Sequence, residues 1–169
     1  MDARFVFFNP EGRTAPHLFA RGFIVLTGVC MFVQIAAVLV SPAFGMLQYA
    51  MIFPYLCVFA KRLHDAGHSA WWYVAFLMGY MLLNIIFGAI TLPVLSPAAF
   101  ALQAEFQVIL QQQGMASMLE AMSERAQELQ RLSVVSSVVS FLLSSAVLGF
   151  IGMRLKQDSG PNKYGVPLT

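Results

Sequence analysis

The 169-residue sequence predicts an all-α fold: a polytopic four-helix transmembrane bundle with an amphipathic helical insertion between spans three and four. Three observations carry that reading. Residues 23–40, 44–60, 71–95 and 132–153 form apolar stretches of 18, 17, 25 and 22 residues that contain no Asp, Glu, Lys, Arg or His, and a helix needs about 20 such residues to cross the hydrocarbon. Composition agrees, with 59% hydrophobic residues, 11% charged residues and a mean hydropathy of +0.71, whereas soluble chains are about a quarter charged. Basic residues are also distributed unevenly: Arg4, Arg13, Arg21, Lys61, Arg62, Arg154, Lys156 and Lys163 fall on one side of the expected membrane, and only Arg125 and Arg131 on the other. Because Lys and Arg accumulate in the cytoplasm, both termini and the connection after span two are expected there.

Residues 1–169 are read as one membrane domain with spans at about 22–41, 44–61, 71–95 and 132–153. The first apolar stretch starts too late and runs too long for a cleaved leader, so it is read as a retained span. Ser41-Pro42-Ala43 allows only a tight hairpin, which makes spans one and two antiparallel neighbours. Span two is expected to end near Lys61, followed by a polar turn over 61–70 in which Gly67 stops the helix. Lys61 and Arg62 would then complement the carbonyl end of span two, and Trp71-Trp72 would anchor span three at the interface. Over 96–131, Ala99, Leu102, Phe106, Ile109 and Leu110 follow helical spacing, as do Met115, Met118, Leu119, Met122 and Leu129 after Gly114. This predicts two amphipathic helices, or one broken at Gly114, lying on the outer leaflet or capping the bundle. In span four, Ser136, Ser140 and Ser144 recur every four residues, as small residues do where membrane helices approach closely. Gln34 and Asn84 are expected to hydrogen-bond across helices, since an unsatisfied amide in lipid is costly. A cytoplasmic tail, 154–169, follows.

Few residues invite chemistry. His64-Asp65-Ala66-Gly67-His68 superficially echoes the H-E-x-x-H zinc helix, but that chemistry requires both imidazoles on one unbroken helical face. Gly67 interrupts the face, Asp replaces Glu, and Asp65 is better read as the ion-pair partner of Arg62 one turn back. The stripe Met115, Met118 and Met122 has thioethers that suit a soft ion such as Cu(I). No His or Cys accompanies it, and it is read as an apolar face. The serines of span four have no His on their side of the membrane to act as base. Cys30 and Cys57 lie inside apolar stretches and are read as small hydrophobes. No ionisable group lies at membrane depth, which argues against a proton-coupled transporter. No basic face on a soluble domain suggests nucleic-acid binding. No catalytic residue, metal ligand or cofactor is assigned.

Two segments are recognisable together. Lys61-Arg62-Leu63-His64-Asp65-Ala66-Gly67-His68-Ser69-Ala70-Trp71-Trp72 resembles the R-R-L-H-D-x-G-x-S-G-W-W signature of the YhaH-like bacterial inner-membrane family, domain of unknown function 805. Ser159-Gly160-Pro161-Asn162-Lys163-Tyr164-Gly165 resembles its closing G-x-N-R-Y-G element, and Gly12-Arg13 its opening G-R. The chain departs from the family pattern at Pro16, where a second basic residue is usual, at Ala20, where Trp is usual, at His68, where Arg or Lys is usual, and in its longer outer segment. The resemblance implies a small helical inner-membrane protein and brings no established reaction.

Arg13, Arg62, His64, Asp65, Asn162, Lys163 and Tyr164 come from three segments expected at one membrane face. A Gly-Pro-Asn-Lys-Tyr-Gly tail is turn chemistry, able to fold back beneath the bundle. A polar cluster that locks the tail is therefore expected, either engaging anionic lipid head groups or a protein partner, or serving equally well as a hydrogen-bonded tail clamp with no ligand. Phe106, Ile109, Met115, Met118 and Met122 form the expected lipid or partner surface outside. These features favour a non-enzymatic structural or accessory subunit, with membrane lipids and a membrane protein or a second copy as partners. The alternatives are an oligomeric small-solute channel or transporter, and a membrane-embedded enzyme using His64 and Asp65.

Overall fold

The computed structural model describes residues 2–166, so the end of the expected tail, 167–169, lies outside the described residues. The helices are α1 (Ala3–Phe8), α2 (Pro16–Leu39), α3 (Leu47–Asp65), α4 (Tyr73–Leu95), α5 (Pro97–Gln113), α6 (Met115–Glu124) and α7 (Ala126–Arg154). Short 3-10 turns, Pro42–Met46 and Ala70–Trp72, lead into α3 and α4. Four of these segments are long and apolar enough to cross a membrane. The chain is an all-α membrane protein, as its apolar runs predict.

The centre of the bundle is α7, which packs along both α2 and α4. Its small side chains permit this. Ser136, Ser140 and Ser144 are buried, and each hydroxyl donates to a backbone carbonyl one turn back, at 2.9, 2.7 and 2.8 Å. Thr91 of α4 meets the Ser140 hydroxyl at 2.7 Å. Further along, Gly149 and Gly152 face the rings of Phe23 and Phe19, where an added Cβ would stand 2.7 and 2.5 Å from the nearest ring atom. Such contact distances belong to backbones brought together by small residues. The resulting core joins Phe19, Phe23, Val58, Phe59, Leu63 and Tyr73, with Phe19 and Phe59 edge to face at 5.2 Å.

In contrast, only 6% of the apolar window of α4 is buried, so most of the surface of this helix is left uncovered by the rest of the chain. Ser96 alone joins α4 to α5, and α5 turns its stripe of Ala99, Leu102 and Phe106 inward. Gly114, at φ 88°, breaks α5 from α6 with a backbone conformation that L side chains rarely adopt. Across the next joint Arg125 pairs with Glu105 at 2.6 Å and Glu128 at 2.7 Å, tying α5 to the start of α7.

Several expectations change. Helix α3 runs to Asp65, one turn past the expected span boundary at 61, and Gly67, at φ 74°, stops it as expected. The Gly67 amide donates to His64 O at 3.0 Å and the His68 amide to Leu63 O at 2.8 Å, the paired bonds of a Schellman cap. The outer segment ends at Glu124, and α7 begins at Ala126, six residues before the expected 132. Phe106 is buried and Ile109 and Met118 are half-buried, leaving Met115 and Met122 as the exposed members of the expected outer surface. Asn84 hydrogen-bonds within its own helix, to the Tyr80 hydroxyl at 3.5 Å, and Gln34 Oε1 is buried with no hydrogen-bond partner.

Candidate functional site: a buried charge clamp at one end of the bundle

The Schellman cap at Gly67 satisfies the Leu63 and His64 carbonyls of α3 from the chain's own backbone, so the Lys61 and Arg62 side chains need not do so. Lys61 and Arg62 instead reach the carbonyl ends of two other helices. Lys61 Nζ donates to the carbonyls of Phe5, Val6 and Asn9 at 2.5, 2.8 and 2.5 Å, holding the C-terminal end of α1. Arg62 donates through Nε to Gly152 O at 3.0 Å and through Nη2 to Met153 O at 3.3 Å and to Leu155 O, holding the end of α7. The expectation that both would serve span two is thereby corrected. Helix ends carry partial negative charge and unpaired carbonyls, so cations belong there.

Asp65 sits between two arginines. Its carboxylate accepts from Arg62 Nη1 at 2.6 Å and from Arg13 Nε at 3.1 Å, and all three side chains are fully buried. Gln157 Nε2 approaches the same carboxylate at 3.4 Å. The rest of the Arg13 guanidinium reaches the tail and the end of α3: Nη1 donates to Gly160 O at 2.7 Å and Gly165 O at 3.2 Å, and Nη2 to Asp158 O and to Asp65 O at 3.3 Å. Among the described residues this end of the bundle holds three buried cations and one buried carboxylate. Ten backbone carbonyl oxygens accept from Arg13, Lys61 and Arg62 and carry the balance.

The tail, from Leu155 onward, closes over this cluster. Asp158 N donates to Asp65 O at 2.8 Å, and Asn162 Nδ2 to His64 O at 3.0 Å. Asn162 and Gly165 exchange backbone hydrogen bonds at 3.1 and 2.9 Å, while Asn162 Oδ1 accepts from the Tyr164 amide at 2.9 Å, so the turn closes on itself. Tyr164 lies flat on the His64 imidazole, ring centroids 3.8 Å apart and planes 8° apart. Lys163 Nζ stands 4.9 Å from the centre of the same tyrosine ring. His64 Nδ1 lies 3.1 Å from Gly12 O.

Arg13, Arg62, His64, Asp65, Asn162, Lys163 and Tyr164 thus converge at one end of the bundle. Lys61 and the short helix α1 belong to the same cluster and are missed by sequence reasoning. Their signal is the charge itself, since a fully buried lysine demands acceptors that only another element can supply. His68 lies beyond the end of α3 and next to Trp72, so the two histidines do not share a helical face. No group of three or more potential metal ligands is found among the described residues.

A family model described as a protein of unknown function, DUF805, matches residues 7–166. The chain belongs to that family. The match runs from α1 through all four spanning helices to the tail, and so contains every member of the clamp named above except Phe5 and Val6. No curated protein and no solved structure matches the chain.

Proposed function

We propose that this DUF805 protein is a non-enzymatic accessory subunit of a bacterial inner membrane, seated on anionic head groups at its clamp end. One observation supports this above the others: the buried charges of the clamp are paired or hydrogen-bonded internally, whereas the exposed basic residues of the same end have no acidic partner among the described residues. Arg4, Arg21, Arg154, Lys156 and Lys163 are exposed, and none forms an ion pair among the described residues. Basic residues next to a span are attracted to anionic lipid by about 1 kcal/mol each. The head-group contact is therefore assigned to this outer ring of cations and not to Arg13 and Arg62, which no head group can reach. At the other end, Met115 and Leu119 of α6 are 57% and 55% exposed and offer an apolar contact for a membrane protein partner. An enzyme built on His64 and Asp65 gains no support, since the Asp65 carboxylate is saturated and the His64 face is covered by Tyr164.

Orientation follows the basic residues, with the clamp end in the cytoplasm. In a background lacking Cys30 and Cys57, His68→Cys should label only from the cytoplasmic side and Gln112→Cys only from the outside; the opposite pattern would invert the topology. For the lipid contact, the measurement is thermal stability in nanodiscs. Phosphatidylglycerol should stabilise the native protein relative to phosphatidylcholine, and Arg154→Glu with Lys156→Glu should remove most of that difference. Equal stabilisation of the native and doubly substituted proteins would refute the lipid reading.

A further inference from the structure

Helix α4 is the span with the most surface left over. Only 6% of its apolar window is buried, against 28–39% in the other three spanning helices. Lipid covers an apolar side chain as well as protein does, so that surface demands no partner by itself. A polar group within it does. Asn84 is the twelfth of the 23 residues of α4, which places it about 16 Å from either end, out of reach of water and head groups. It is half-buried. Its one hydrogen bond runs from Nδ2 to the Tyr80 hydroxyl at 3.5 Å, and among the described residues Oδ1 accepts from nothing. Gln34 Oε1 is enclosed by its own chain, whereas Asn84 Oδ1 is not. A carboxamide carries two N–H protons and a carbonyl, so an N–H and the carbonyl remain unspent in a medium that offers neither donor nor acceptor.

At that depth only another span supplies the missing groups. A second copy does so by construction. Inserted in the same direction, it brings its own Asn84 to the same level, and under a twofold axis along the membrane normal the two amides exchange hydrogen bonds reciprocally. Any other span would need its own donor and acceptor at that level. The surroundings of Asn84 permit the approach. Gly88, one turn on, has nothing within 4 Å of an added Cβ, so this glycine, unlike Gly149 and Gly152, serves no contact inside the protomer. Leu77, Met81, Asn84, Gly88 and Leu95 recur at intervals of four, three, four and seven, the seam along which two helices pack at a shallow left-handed crossing. Leu77, Met81 and Leu95 are exposed.

From this placement we infer that the protein forms a parallel twofold dimer through α4, the Asn84 carboxamides of two copies exchanging N–H···O=C bonds at the middle of the bilayer. The test uses the full-length protein in phosphatidylcholine vesicles, in a background lacking Cys30 and Cys57 and labelled at Gln112→Cys with donor or acceptor dye. Energy transfer then reports association as the protein-to-lipid ratio rises. With Asn84 and Gly88 in place the transfer should saturate. Asn84→Leu should weaken association about tenfold, the value of a pair of interhelical hydrogen bonds in a bilayer, and Asn84→Gln, which keeps the carboxamide, should recover most of it. Gly88→Leu finds open space beside its Cβ in its own protomer but blocks the second helix, so it should abolish the transfer; Gly88→Ala stays small and should match the native curve. For geometry, Met81→Cys should give a disulfide-linked dimer with copper phenanthroline, and Ile86→Cys, on the opposite side of α4, should not. Transfer no greater than random proximity from the native protein would overturn the proposal, as would Asn84→Leu or Gly88→Leu associating as tightly as the native chain. Equal cross-linking through Met81→Cys and Ile86→Cys would overturn it too, because collision without a fixed face would explain both.

Discussion

Replacing Asp65 with Asn should destabilise the folded protein by about 3 kcal/mol or more, the usual cost of removing one partner from a buried ionic cluster. The substitution preserves size and leaves one acceptor oxygen, so little of the loss can be assigned to packing. What it removes is the one anion among the described residues that pairs with Arg13 and Arg62, both fully buried, at 3.1 and 2.6 Å. Neither guanidinium can retreat to water, because their remaining donors are tied to α7 and the tail. Reversible unfolding in mixed detergent, followed by circular dichroism, gives the comparison. Asp65→Asn combined with Arg13→Gln should cost less than the sum of the single changes, since the second removes one of the stranded charges. A midpoint unchanged by Asp65→Asn would show that the clamp contributes nothing to stability.

Gly152→Ala should cost about 1–3 kcal/mol, as overpacking of a tight interface generally does. The new methyl would sit 2.5 Å from Phe19 Cζ, and Phe19 is fully buried among Phe23, Phe59 and Val58 with no room to swing aside. Helix α7 must therefore move outward, carrying with it the Gly152 carbonyl that Arg62 holds at 3.0 Å. Gly88→Ala is the control: nothing lies within 4 Å of the added Cβ, and no loss is expected. Phe19→Leu should restore part of the stability lost in Gly152→Ala while destabilising the native background. Equal midpoints for the Gly152 and Gly88 variants would contradict the close approach of α2 and α7.

Hydropathy made the four spanning helices legible, because lipid leaves a helix no alternative to long uncharged runs. Spacing made the Arg62 and Asp65 pair legible, since residues three apart share a helical face. Gly67 made the stop of α3 legible, but the burial of its last turn was not: a Lys-Arg pair ordinarily marks the water boundary, whereas here both charges are absorbed by the carbonyl ends of α1 and α7. Helix α1 escaped notice because six residues show no useful periodicity. In span four the serines gave a visible four-residue repeat; Leu148 interrupts it before Gly152, Gly149 lies beside it, and the approach of both glycines to Phe23 and Phe19 emerges only from the structure. On α5, Phe106 belongs to the correct stripe, but periodicity shows that a face exists without showing which way it turns. The convergence of Asn162 and Tyr164 on His64 rests on contacts nearly a hundred residues apart, beyond the reach of any local pattern.

The clamp also imposes an order on biogenesis. Lys61 and Val6 are 55 residues apart in sequence, Arg62 and Leu155 are 93 apart, and Arg13 and Gly165 are 152 apart. A growing chain can close the first contact once α3 has emerged, but Asp65 and its arginines must wait for α7 and then for the last turn of the tail. Insertion is driven by apolar runs and can be complete by Arg154. Completion is a separate event, triggered by the dozen residues that follow Arg154 in the sequence, seven of them polar. A chain stalled between the two would be correctly inserted and yet visibly unfinished, with bare charge at the membrane face where quality-control proteases could recognise it.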